Sequence, residues 1–127
     1  MQTKRQLDQL GRLRQTLREH LHGLEKSLDV VFGRAPMVKG NVYELARKCG
    51  KPNCACARGE LHRNMVLTWS DQGKHRIFSV PPERLADLEM KSKEYLRFRR
   101  ARAQVTVICK KILGVIDRIE KLRREEP

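Results

Sequence analysis

At 127 residues, 39% hydrophobic but only 5% aromatic and 34% charged, the chain has the length of one domain and little apolar material for a large globular core. No apolar run is long enough to cross a bilayer, and the polar N-terminus lacks the apolar stretch of a signal peptide, so the expectation is a soluble, cytoplasmic protein. A formal charge of +13 calls for an anionic partner, of which nucleic acid is the commonest, ahead of an acidic protein or an anionic membrane.

Residues 3–31 place Leu7, Leu10, Leu17, Leu21, Leu24, Leu28 and Val31 at alternating three- and four-residue spacing, with Arg14 at the one interrupted position. That is a heptad pattern, and it predicts an amphipathic helix with a narrow contact stripe. Gly33 and Pro36 end it. Residues 41–46 then read as a short strand, and residues 65–69 and 76–80 as two more. Gly73 within residues 71–74 supplies a hairpin turn between the last two.

From Pro82, well suited to a first helical position, a second helix is predicted to about residue 125. Its stripe is Phe98, Ala101, Val105, Ile108, Ile112, Val115, Ile119 and Leu122, and Leu85, Leu88 and Tyr95 continue it upstream. Either the helix is unbroken or it bends in its basic stretch. The expected fold is α+β, mostly α: an N-terminal helix over residues 1–32, a small antiparallel β and zinc head over 33–81, and a basic C-terminal helix over 82–127. Together these form one domain. Periodicity leaves two arrangements open, an antiparallel helical hairpin within the chain or a dimeric coiled coil.

The densest chemistry lies in the head, where Cys49, Cys54, Cys56 and His62 give C-x4-C-x-C-x5-H. Three thiolates and an imidazole so close together form a usual tetrahedral zinc complement. Gly50 and Gly59 permit the tight turns that this demands, and Pro52 stiffens the first of them. Lys48, Lys51 and Arg58 would offset the negative charge of a tris-thiolate site. Cys54 and Cys56 are closer together than in the familiar C-x2-C, which leaves open a set with one of them outside the ligand shell. Three free cysteines and a disulfide are the competing readings, the latter opposed by a reducing cytoplasm. With every position filled by protein the zinc would be structural. Cys109, in the second helix, reads as a free, at least half-buried thiol, and His20, His22 and His75 as ordinary histidines.

The segment from Arg47 to His62, containing Cys49-Gly50-Lys51-Pro52-Asn53-Cys54-Ala55-Cys56-Ala57-Arg58-Gly59 and followed by Gly73-Lys74, Pro81 and a basic helix, resembles a family of small prokaryotic proteins of unknown function. That family is marked by Cys-Gly-Lys-Pro-x-Cys-x-Cys-Ala-x-Gly-x-x-His, and some members are encoded near transposition genes. The resemblance spans about residues 40–100 and implies a shared head architecture without an activity. Where the family pattern continues with Gly-Pro and several tyrosines, this chain has Arg63, Asn64, Met65, Val66 and Leu67, leaving Trp69 as that strand's aromatic.

The charge is uneven. Residues 33–65 carry seven basic and two acidic groups, and residues 90–127 twelve and five. Lys93, Arg97, Arg99, Arg100 and Arg102 lie together on the second helix with only Glu94 among them, and Lys48, Lys51, Arg58 and Arg63 surround the cysteines. Helical spacing puts Lys93, Arg97 and Arg100 near one face, suited to following a phosphate backbone. The expected function is therefore a nucleic-acid-binding accessory protein, for DNA or RNA, reading backbone or shape in preference to bases. The alternative is an assembly or adaptor protein whose heptads bind a protein partner or a second copy. No nucleophile–base pair, phosphate loop or convergent carboxylate pair points to an enzyme or a small-molecule substrate. An aromatic-poor, narrow stripe is also unlike a membrane-surface helix.

Overall fold

The computed structural model describes residues 3–127; Met1 and Gln2, at the start of the polar N-terminus, lie outside the described residues. Helix α1 (Lys4–Val31) is followed by strands β1 (Asn41–Arg47), β2 (His62–Asp71) and β3 (Lys74–Ser79), then by helix α2 (Leu85–Arg123). One-turn 3-10 segments occupy Ala55–Arg58 and Pro82–Arg84. The fold is α+β and mostly α, as the periodicities predict, and α2 is unbroken through its basic stretch. Two compact units can be distinguished, Arg34–Arg97 and Met1–Gly33 with Phe98–Pro127, so α2 gives its first turns to one and the remainder to the other.

In the helical unit, α1 opens on a reciprocal cap. Thr3 Oγ1 accepts the Gln6 N–H at 3.2 Å, and Gln6 Oε1 accepts the Thr3 N–H at 2.8 Å. This satisfies two of the donors that a helix start leaves orphaned. Gly23 faces Ile108, whereas Gln9, Leu13 and Thr16 share a groove with Arg118, Lys121 and Leu122. Moving forward along α1 thus means moving backward along α2, and the two run antiparallel.

Every predicted stripe position of α2 from Phe98 to Leu122 is buried or half-buried. The stripe on α1 is rotated relative to expectation. Leu7 and Leu21 are 53% and 44% exposed and Arg14 is exposed, while Leu13 and His20 are half-buried beside Leu10, Leu17 and Leu24. Leu10, Leu13, Leu17, His20, Leu24, Ser27 and Val31 make a three-four ladder of their own, without the interruption that Arg14 introduces. Turning the helix by one position moves that guanidinium into water at the cost of exposing two leucines. An unpaired buried charge is the dearer of the two.

The other unit is built on a three-stranded antiparallel sheet in the order β1–β2–β3. Leu67 pairs across to Val42 on one side and Phe78 on the other. With Val80 and Leu88 it forms a buried cluster, against which Val38, Val42, Met65, Trp69 and Leu85 pack. Burying Leu88 fully is worth about 2 kcal/mol, so the first turns of α2 are what give this small sheet a core. The β2–β3 turn has Gln72 and Gly73 at φ 50° and 80°, the two positive values of a type I′ hairpin. β2 begins at His62, three residues ahead of the predicted start, because Arg47 pairs with His62 and Leu45 with Asn64. Backbone pairing holds those polar residues extended, and hydrophobic alternation could not signal it.

Candidate metal centre and the cations around it

The loop between β1 and β2 carries the cysteines, and the antiparallel register closes it. Arg47 opposite His62 brings the first and last parts of the loop together, so a fourteen-residue stretch starts and finishes at one place. Inside it, Cys54 precedes the short 3-10 segment. The Gly59 N–H then donates to the Cys56 carbonyl at 3.3 Å and the Glu60 N–H to the Ala55 carbonyl at 3.3 Å. That pair of bonds needs a left-handed residue at the turn, and Gly59 supplies it at φ 105°.

The result is a cluster in which the ligand atoms of Cys49, Cys54, Cys56 and His62 all lie within 4.8 Å of one another. Cys49 Sγ is 3.5 Å from Cys56 Sγ, and Cys54 Sγ is 3.1 Å from His62 Nε2. Around a tetrahedral zinc with bonds of about 2.3 Å to sulfur and 2.0–2.1 Å to nitrogen, the corresponding edges are roughly 3.8 and 3.6 Å. All four ligand atoms, those of Cys54 and Cys56 included, are thus close enough together to bind one metal ion, zinc among them. The Cys49 N–H also donates to Cys56 Sγ at 3.2 Å, a bond that favours a thiolate at that sulfur.

Cys56 is buried, whereas Cys49 and His62 are exposed and Cys54 is intermediate. A hydrogen bond from the Lys51 backbone holds the Cys49 thiol below its ordinary pKa, with Cys56 adding to the effect. At Cys56 the Cys49 backbone bond pulls the same way, but burial and the neighbouring Cys49 and Cys54 sulfurs outweigh it and push the thiol up. One of the clustered sulfurs is thus disposed to ionise, and its charge resists ionisation of the next, the repulsion that a cation would relieve.

Cys109 is exposed, contrary to the expected burial; it falls one position beyond the Ile108 seam. His20 lies half-buried on the seam of α1, and His22 and His75 are exposed.

The cations divide. Lys48, Lys51, Arg58, Lys93, Arg99, Arg100 and Arg102 are exposed. Two others are engaged: Arg63 Nη1 lies 3.1 Å from Glu44 Oε1, and Arg97 Nη1 lies 3.2 Å from Glu94 Oε1. Both arginines and Glu44 face solvent while Glu94 is half-buried, and ion pairs this exposed are worth at most about 1 kcal/mol. Glu94 was legible as a partner from its spacing, three residues before Arg97. Glu44 was not, because cross-strand register puts it beside Arg63.

The family described as Domain of unknown function (DUF6788) matches residues 2–90, which is most of the chain, and the protein belongs to it. The matched region takes in α1, the sheet, the cysteine loop and the first turns of α2, and it stops ahead of the arginine-rich run. No curated protein and no solved structure matches significantly.

Proposed function

We propose that this is a nucleic-acid-binding accessory protein, acting by binding and not by catalysis, in which Cys49, Cys54, Cys56 and His62 hold a structural zinc ion. The carrying observation is the four-ligand cluster with the exposed cations of its own loop, Lys48, Lys51 and Arg58. Three thiolates and one imidazole complete the preferred coordination of zinc and leave no open position for water or substrate. The metal would rigidify a loop with almost no core of its own, and so fix where the lysines and arginine point. Arg99, Arg100 and Arg102 offer a second set of phosphate-binding groups on α2. Contacts of this kind carry little sequence information, so binding should follow backbone charge and depend steeply on salt.

The test is purification without chelators, followed by metal analysis and mobility shift at increasing salt. Stoichiometric zinc and an affinity that falls steeply with salt are expected. Absence of metal overturns the zinc assignment, and absence of salt-sensitive binding overturns the nucleic-acid assignment. A second reading, a helical surface for a protein partner or a second copy, draws on Leu113 and Ile116, which are 59% and 45% exposed and one turn apart on α2. Sedimentation equilibrium distinguishes it, because Leu113→Glu would then dissociate the assembly.

A further inference from the structure

Beside the sheet, away from the cysteines, a cleft of about 240 Å³ opens between β2, α2 and the segment entering β1. Trp69, Tyr95 and Leu96 supply its apolar lining, and Lys39, Asn41 and Ser70 its polar lining. Trp69 is half-buried and packs against the Leu67–Val80–Leu88 cluster, which fixes its ring from below. Leu96 is 43% exposed, a large apolar side chain left at the rim. A second hollow of similar size continues from Asn41 and Leu96 to Ser92, Lys93 and the carboxylate of Glu89.

The third wall is held in place. Ser92 Oγ donates to the Gly40 carbonyl at 2.5 Å, and the Val38 N–H donates to the Lys91 carbonyl at 3.1 Å. Gly40 passes so close to β2 that an added Cβ would come within 2.6 Å of the Thr68 carbonyl oxygen. The cleft is therefore preformed, with little ordering left to do on binding.

We infer that this cleft receives an unpaired base of a single-stranded nucleic acid, an inference that rests on the nucleic-acid reading above. Aromatic rings flanked by amide and hydroxyl groups suit a flat heterocycle with polar edges. The volume is below that of drug-sized pockets, about 300–1,000 Å³, and so fits a ring system and little more. Lys39, the one charged group of the lining, selects against a cationic guest, which two aromatics alone would welcome, and for one carrying phosphates. A duplex keeps its bases stacked inside and cannot present one here without flipping it.

Trp69 is the single tryptophan of the chain and reports on its own site. Single-stranded oligodeoxynucleotides and oligoribonucleotides, and a duplex of equal length, are titrated into the metal-loaded protein while its tryptophan emission is followed. Binding is measured in parallel by mobility shift. The expected result is quenching by single strands of either or both sugars, and duplex binding without it. Tyr95→Ala should weaken single-strand binding about tenfold and leave duplex affinity within twofold. Lys39→Glu, a change in an exposed side chain, should weaken single-strand binding more than duplex binding, should Tyr95→Ala perturb folding. Single-strand binding with unchanged emission, or equal effects of both variants on single strand and duplex, overturns the cleft while leaving the basic surfaces intact. Failure of every nucleic acid to bind overturns the underlying reading and the cleft with it.

Discussion

Stripping the metal should unfasten one end of the sheet and leave the rest of the protein in place. A zinc ion on the four proposed ligands would tie Cys49 to His62 and so close a loop of fourteen residues. A crosslink across a loop of about that length stabilises by roughly 3 kcal/mol, through the freedom it removes from the open chain. The nearest ladder pairs, Leu45 with Asn64 and Arg47 with His62, carry exposed or half-buried side chains and share none of the Leu67–Val80–Leu88 cluster. Little else resists their opening. At 1.4 kcal/mol per tenfold, about 3 kcal/mol corresponds to roughly a hundredfold faster amide exchange for residues 45–47 and 62–64 after chelation. Hydrogen exchange read by mass spectrometry, with and without a chelator, measures this directly. Peptides from α2 near Leu88 serve as the internal control and should change little. Identical exchange in the two states would mean that the four side chains meet without a metal to hold them, and the coordination argument would fall.

In chelated protein, a limiting thiol alkylating agent should modify Cys49 first and Cys56 last, since one thiol is exposed and disposed to ionise and the other is buried and pushed up. Metal should protect both while Cys109 reacts in either state, and peptide mapping that finds Cys56 labelled first refutes the order. Metal retention should fall as pH is lowered, because protons compete for all four ligands, and a zinc content indifferent to acid contradicts thiolate coordination. Leu88→Ala should cost about 2–5 kcal/mol in urea unfolding, given its burial in the cluster under the sheet; a loss under about 1 kcal/mol would place the core elsewhere. Replacing Arg99, Arg100 and Arg102 together by alanine should flatten the slope of log affinity against log salt by about 0.9 for each phosphate no longer neutralised, and an unchanged slope removes that face from the binding surface.

Features that depend on neighbours along the chain were legible in the residues alone. The C-x4-C-x-C-x5-H spacing is ligand chemistry in a short loop, and the four side chains do meet. The stripe from Phe98 to Leu122 is a single uninterrupted ladder, so α2 had one face to bury. On α1, by contrast, two ladders share Leu10, Leu17, Leu24 and Val31: one adds Leu7, Arg14, Leu21 and Leu28, the other Leu13, His20 and Ser27. Composition favours the first for its leucines, but only packing against α2 decides between them. The same holds for Glu44 beside Arg63 and for the meeting of Trp69, Tyr95 and Lys39 around one cleft. Residues that distant are joined by strand register and by the first turns of α2 packing against the sheet, and no local spacing records either.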